Sequence, residues 1–314
     1  MTGTLLIFIA TFFWAVDTLI RYPLLEAGLS ALQIVFIEQS MLVFITSLWL
    51  KARDQSFWVF SQRDIPSLLI IGGLGQAIGT LAFTQAFSYM NPTLVILLQK
   101  LQPLVAISLS ALVLKERIHS GFIVCAALAL LGSCLIVAED VTAFWQSGVW
   151  HYSDQLLIRL AGYGLALLAV VSWGASTVFG KRLALSGYNS GQIMHGRFVF
   201  GFIVLLPFLF WQMPFEQQPV GGSIAKIALM VLLSGLLGML FYYQGLKRVQ
   251  SKQSALAEMA FPVMAGVINW LVLDLALTRI QIVGGLLLII ANLLVHKGMT
   301  ESSTDVDHRQ ETFA

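Results

Sequence analysis

Ten mostly apolar stretches follow one another along the chain, each about as long as the roughly 20 residues a helix needs to cross a bilayer core. In lipid a segment must satisfy its own backbone groups, so stretches of this length predict spanning helices. They run approximately from Gly3 to Arg21, Ala31 to Leu50, Ile65 to Tyr89, Pro92 to Leu114, Gly121 to Ala138, Ile158 to Ala184, Ser190 to Trp211, Ile224 to Leu246, Ser254 to Leu273 and Ile280 to Val295. A polar and aromatic linker, Glu139 to Gln155, separates the fifth from the sixth, and the polar tail from Gly298 to Ala314 reads as disordered. Hydrophobic residues make up 58% of the chain and charged residues 11%, against about a quarter charged in a soluble domain. Such a chain cannot coat itself with polar surface, which excludes a soluble enzyme. The expected fold is all-α and integral to the membrane, with ten transmembrane helices. The first stretch is expected to persist as a span, because no Lys or Arg precedes it and no small-x-small site closes it.

Basic residues set the orientation, since cytoplasmic loops retain Lys and Arg. With the amino terminus inside, the inner side holds twelve of the eighteen: Lys51, Arg53, Arg63, Lys115, Arg117, Lys181, Arg182, Lys247, Arg248, Lys252, Lys297 and Arg309. The outer side holds Arg21, Arg159, Lys226 and Arg279, while Lys100 and Arg197 fall within spans. Both termini are therefore expected in the cytoplasm, and the protein in the inner or plasma membrane. The net charge of +2 is spread along the chain with no cationic tract, so membrane lipid is an expected partner and nucleic acid is not. Cys125 and Cys134 lie in one apolar run and are expected only to pack.

The chain also matches itself. A shift of 159 places Trp14 on Trp173, Thr18 on Thr177, Gly28 on Gly187, Gln33 and Ile34 on Gln192 and Ile193, and Gly79 on Gly238. It continues without a gap through Leu81 on Leu240, Gln85 on Gln244, Pro103 on Pro262, and Val113-Leu114 on Val272-Leu273. Each half then holds five spans. Five is odd, so the second half enters from the opposite side and the halves are expected to be inverted repeats, residues 1–138 and 158–297, with an outer linker at 139–157 and a cytoplasmic tail at 298–314. Inverted repeats are typical of secondary transporters, whose substrate site lies near the midplane where the halves meet.

Ten spans, a five-plus-five duplication, a Trp in the first span of each half and a Pro in the fourth resemble the drug/metabolite transporter superfamily, in particular its EamA-type exporters. The segment SLSALVLKERIHSGFIVCAALALLGSCLIV is similar to that family's end-of-fourth-span pattern, a Leu-x-Glu turn leading into a Gly-rich fifth span. The second half departs from it, with Asp274 one place before the expected acid. Position 38 holds Glu where such exporters often carry Arg, which Arg197 retains. The resemblance implies export of small metabolites such as amino acids or related compounds.

Ionisable groups at mid-membrane are costly and usually face a cavity or a partner. Glu38 and Arg197 are equivalent under the shift and lie roughly 12 Å in from opposite faces. They are expected to face each other or one cavity, as acidic and basic anchors for a polar solute; the competing reading is a structural ion pair between the halves. Lys100 lies about as deep, beyond what a snorkelling chain spans, and Glu258, next to its repeat mate Met259, is its candidate partner, for pairing or for a proton. The competing reading has both lining a wet vestibule. Asp17 and Arg21, one turn apart, read as an interfacial ion pair near the outer boundary. Trp14 and Trp173 are expected to line the cavity, since Trp14 lies midway along its span and the repeat pairs the two; the competing reading places them in aromatic belts at the membrane surfaces. Gln85, Gln244, Tyr242 and Tyr243 offer hydrogen bonds either to a solute or between helices. Pro103 and Pro262 predict matched kinks, and Gly75 with Gly79 a close helix contact.

GASTVFGKR from Gly174 fails as a phosphate-binding loop, since five residues separate its glycines and Arg182 stands where Ser or Thr belongs. The five histidines lack metal-ligand spacing. The sequence reads as a non-enzymatic secondary transporter without cofactor or metal, moving a small-molecule substrate by alternating access, with protons as a candidate coupling ion. Spans one to four and six to nine are expected to line the cavity. An uptake or exchange carrier for a vitamin, nucleotide-like or drug-like solute is the alternative. A membrane enzyme or lipid flippase fits less well, because the charges gather at mid-depth rather than at one interface.

Overall fold

The computed structural model describes residues 3–57, 59–115, 121–146, 154–213, 220–246, 248, 257–258 and 260–294. Residues 116–120, 147–153, 249–256, Met259 and the tail from Gly298, all of which figure in the sequence readings, lie outside this set. Among the described residues the regular structure is helical throughout. Eight helices are long and apolar enough to cross a membrane: α1 Gly3–Glu26, α2 Ala31–Ala52, α3 Gln62–Phe87, α4 Pro92–Val113, α5 Phe122–Gln146, α6 Asp154–Leu185, α7 Ser190–Gln212 and α8 Gly221–Tyr242. Two shorter apolar helices follow, α9 Ala260–Leu273 and α10 Arg279–Leu294. α1 runs past Arg21 to Glu26 and α5 past Ala138 to Gln146, while the expected ends at Ser254 and Val295 lie outside the described residues. Asp140 anchors the extra length of α5, accepting from the Tyr163 hydroxyl at 2.8 Å and pairing with Arg159 at 3.0 Å.

Positions 159 apart are built alike. α1 and α6 each end at a glycine with positive φ, Gly28 at 90° and Gly187 at 93°, a conformation that costs glycine nothing. Two residues later Ser30 and Asn189 cap the next helices, each in a reciprocal capping box with Gln33 and Gln192. The repeated glutamines are thus helix starts, not site residues. Within α3 and α8, Leu69–Gly79 and Val231–Gly238 bond i to i+5, a widened turn common at functional sites.

The fourth span breaks where Pro103 predicts. Helix runs from Pro92 to Leu98, a tight turn covers Gln99–Leu101, and helix resumes at Gln102, because Pro103 has no N–H for the carbonyl four residues back. Pro262 is the third residue of α9 as described, and the residue before Ala260 lies outside the described set.

The halves pack by exchange. α1 lies against α8 and α9, while α6, its repeat mate, lies against α3 and α4. Gly75 and Gly79 serve this contact: a Cβ at Gly75 would meet the Ser176 side chain at 2.5 Å, and one at Gly79 would meet Trp173 Nε1 at 3.1 Å. A Cβ at Gly238 would meet Trp14 Nε1 at 2.9 Å in the same manner.

At the connection between α6 and α7, Tyr188 donates to Asp64 Oδ2 at 2.7 Å and accepts from the Ser61 N–H at 3.1 Å. The hydrogen bond to Asp64 holds its phenol above the ordinary tyrosine range. Its contribution to stability is therefore present below the usual phenol pKa and lost as pH rises through the raised one. Absorbance titration is expected to show one late phenol that Tyr188→Phe removes, and the wild type's stability margin over that variant shrinks as the solution turns alkaline.

Candidate functional site

Among the described residues, three polar groups hold the mid-span ionisable residues singled out above together with Asp17, Arg21 and Glu258. The first centres on Arg21, which is 4% exposed. Its Nε lies 2.8 Å from Asp17 Oδ2 and its Nη2 3.3 Å from Asp17 Oδ1, while Nη1 is 3.0 Å from both Glu38 Oε2 on α2 and Thr84 Oγ1 on α3. Ser234 Oγ on α8 donates to Asp17 Oδ1 at 2.7 Å, and Trp14 Nε1 donates to the Ser234 carbonyl at 3.2 Å. One expectation is corrected here. Glu38 is paired with Arg21 instead of Arg197, while the Asp17–Arg21 pair forms as expected and is buried between helices. The cause is donor count: a guanidinium carries five N–H groups, one neighbouring carboxylate satisfies two geometrically, and Glu38 and Thr84 take two more from adjacent helices.

The second group holds Arg197. Its Nε donates to Gln76 Oε1 at 2.8 Å, Gln76 Nε2 donates to Gln39 Oε1 at 3.1 Å, and Gln39 Nε2 donates to the Phe198 carbonyl at 2.6 Å. This amide relay ties α7 to α3 and α2. Glu38 and Gln39 are chain neighbours, so α2 serves one group on each side.

The third group unites four of the residues the sequence singles out. The turn at Gln99–Leu101 sets Lys100 with its Nζ 5.3 Å from the Phe261 ring, and Glu258 is its electrostatic partner. Tyr242 donates to Glu258 Oε1 at 2.9 Å, and its ring centre is 5.2 Å from that of Trp14, which meets Phe261 edge-on at 6.3 Å. Asn292 on α10 fixes the break by donating to the Lys100 carbonyl at 3.1 Å. Trp173 has a counterpart wall, its ring centre 5.0 Å from that of Phe83, which is 159 residues before Tyr242. Gln99, 159 before Glu258, lies in the turn that packs on α6, with its Oε1 buried and without a hydrogen-bond partner.

Gln85 and Gln244 stand apart from these groups. Gln85 lines a peripheral groove of about 580 Å³ with Leu165, Leu168, Phe208 and Trp211, and Gln244 is exposed. The side chain of Tyr243 lies outside the described set. Sequence reasoning missed Gln39, Gln76, Thr84 and Ser234. Gln39 and Gln76 carry the signal that mid-span ionisable groups carry, a polar side chain deep in an apolar run; Thr84 and Ser234 are of types common in such helices and carry none.

The EamA-like transporter family profile matches residues 1–138 and 160–296. The chain belongs to that family. EamA-like relatives agree in kind: the riboflavin transporter ImpX of Fusobacterium nucleatum is 29% identical over 303 residues, covering 94% of this chain and 97% of the relative. An uncharacterized transporter of Archaeoglobus fulgidus is 26% identical over 239 residues, 75% of this chain and 79% of its own. One solved crystal structure aligns with a TM-score of 0.58 at 17% identity, over 93% of this chain and 95% of that one, and so shares the EamA-like chain's fold. Family and apolar helices together make this a multi-pass membrane protein acting on a small-molecule substrate.

Proposed function

We propose that the chain is a secondary transporter of the inner or plasma membrane, built from two inverted five-helix repeats, residues 1–138 and 158–297, with the linker at 139–157 outside and both termini in the cytoplasm. The exchanged packing of α1 and α6 supports the inverted arrangement, since it is what a twofold axis in the membrane plane produces. The transported solute is a flat, polar heteroaromatic compound of the riboflavin type. The observation that carries this reading is the aromatic wall of Trp14, Tyr242 and Phe261 beside the Lys100–Glu258 pair, with a second wall of Trp173 and Phe83 at the repeat-related positions. Aromatic faces hold a planar ring in offset or edge contact, the charged pair addresses its polar edge, and the open Oε1 of Gln99 accepts an N–H. Arg197, seated on Gln76, offers a further polar contact to the solute, and Gln85 and Gln244 meet it on its way in or out. The name of the Fusobacterium relative points the same way.

A second reading, export of amino acids or related metabolites, is favoured by the one-to-one charge balance of Lys100 and Glu258, which matches a zwitterion. Counterflow in proteoliposomes separates the two. Labelled riboflavin is expected to exchange against internal riboflavin well above empty vesicles. The rate falls about tenfold in Lys100→Met at limiting substrate, as loss of one charge-assisted hydrogen bond of roughly 1.5 kcal/mol requires. Trp14→Ala is expected to fall further. Counterflow of an amino acid with none of riboflavin establishes the second reading, and absence of any flux overturns both.

A further inference from the structure

The charges around Arg21 do not balance. Asp17 and Glu38 bring two carboxylates to one guanidinium, all three on membrane-spanning helices, with side chains 13%, 12% and 5% exposed. The neutral neighbours, Thr84 on α3 and Ser234 on α8, add hydrogen bonds but no charge. Among the described residues, Arg21 and Asp17 are the charged groups that act on Glu38. Lys100 is matched by Glu258 on the far side of Trp14, and Arg197 donates to Gln76 on the other side of α2. With both carboxylates ionised the cluster would hold one uncompensated negative charge in a low-dielectric interior, the arrangement in which closely placed carboxylates share a proton and titrate as a pair.

We propose that the Asp17–Arg21–Glu38 cluster is a proton-binding site, in which one proton shared by the two carboxylates neutralises the group and links its occupancy to the contact between the halves. The link is geometric. Asp17 accepts from Arg21 and from Ser234 Oγ, and Ser234 lies in the widened turn of α8 whose carbonyl takes Trp14 Nε1. Asp17 takes two N–H groups of Arg21 and Glu38 one, so the proton rests on Glu38 when the Ser234 hydroxyl, which also reaches the Met230 carbonyl at 2.8 Å, donates to Asp17 and joins α1 to α8. Its transfer to Asp17 removes the charge that holds Arg21 and Ser234 to that carboxylate, and loosens α1 from α8. In a full cycle the proton comes from water on one side and returns to water on the other; no other bond is made or broken. A metal cation is disfavoured because guanidinium and hydroxyl donors already lie against three of the four carboxylate oxygens and the guanidinium's own positive charge sits between them. The coupling role rests on the transporter reading above, whereas the proton site itself does not.

Infrared titration of the purified full-length protein tests the site without any substrate. The wild type is expected to show a protonated carboxylic acid band near neutral pH, shifted in heavy water. Both Asp17→Asn and Glu38→Gln are expected to abolish it, because each leaves one carboxylate for one guanidinium. A band that survives either substitution overturns the proposal, as does a wild type with no such band, which needs no variant to fold. Coupling is read separately in proteoliposomes with riboflavin. Asp17→Asn is expected to keep riboflavin counterflow while losing acceleration by an imposed pH gradient. Acceleration by a sodium gradient instead overturns the assignment to a proton. Absence of counterflow from every variant and from the wild type defeats the choice of riboflavin and leaves the infrared result standing.

Discussion

Replacing Arg21 with Ala is expected to remove most of the folded protein. The guanidinium is the common partner of Asp17, Glu38 and Thr84, which lie on three different helices, and it is nearly out of reach of water. Deleting one side of a buried ion pair leaves a charge with no counterion, a loss of about 3 to 5 kcal/mol, and here two carboxylates are orphaned at once. Set against a total stability of about 5 to 15 kcal/mol for a typical fold, this is a large share. Size-exclusion yield and thermal unfolding in detergent are the measurements. Combining Arg21→Ala with Asp17→Asn and Glu38→Gln is expected to recover most of the loss, since no buried charge then lacks a partner and the two amides can bond to each other. Recovery by the triple variant beyond the sum of its parts identifies the loss as electrostatic. A single Arg21→Ala variant that melts with the wild type would show that the cluster does not hold the helices together.

What the sequence discloses and what it withholds divide along a physical line. Position along a span follows from counting residues, because every helical residue advances by a fixed rise; Glu38, Lys100 and Arg197 are placed inside their helical segments by counting alone. Azimuth does not follow. Which face of α2 carries Glu38 is decided by how helices from both halves dock, and in a chain apolar on nearly every side no stripe marks the packed face. Hence the wrong partner for Glu38. The Lys100–Glu258 association was accessible because Pro103 marks the break that presents Lys100, and because the repeat brings position 258 beside the mate of position 100. Repetition alone does not tell a site from a turn. Trp14 and Trp173 recur as aromatic walls, whereas Gln33 and Gln192 recur as capping boxes. What distinguishes them is placement, since an amide three residues after a Ser or Asn that follows a glycine is a helix start.

Two adjacent glycines of α3 are expected to behave in opposite ways. A Cβ at Gly72 would lie 2.5 Å from the Phe200 Cβ and 2.7 Å from the Arg197 carbonyl, so it meets the backbone and stem of α7, which no rotamer change can move. A Cβ at Gly73 would lie 3.1 Å from a single methyl of Val204, which can yield by rotation. In membranes close helix approach is itself the attractive interaction, since lipid tails supply no hydrophobic drive between helices. Gly72→Ala therefore pushes α7 off α3 at the level of Arg197. One turn farther along α3, Gln76 would lose its 2.8 Å contact with the guanidinium, and the relay through Gln39 to Phe198 would open. Overpacking of this kind costs about 1 to 3 kcal/mol, and two hydrogen bonds at about 1 kcal/mol each add to it. Gly72→Ala is expected to lower the melting temperature in detergent and to depress riboflavin counterflow even in the fraction that folds, while Gly73→Ala stays near wild type in both. Equal tolerance at the two positions would mean that α3 and α7 do not approach this closely in the membrane, and the seat of Arg197 would have to be sought on another helix face.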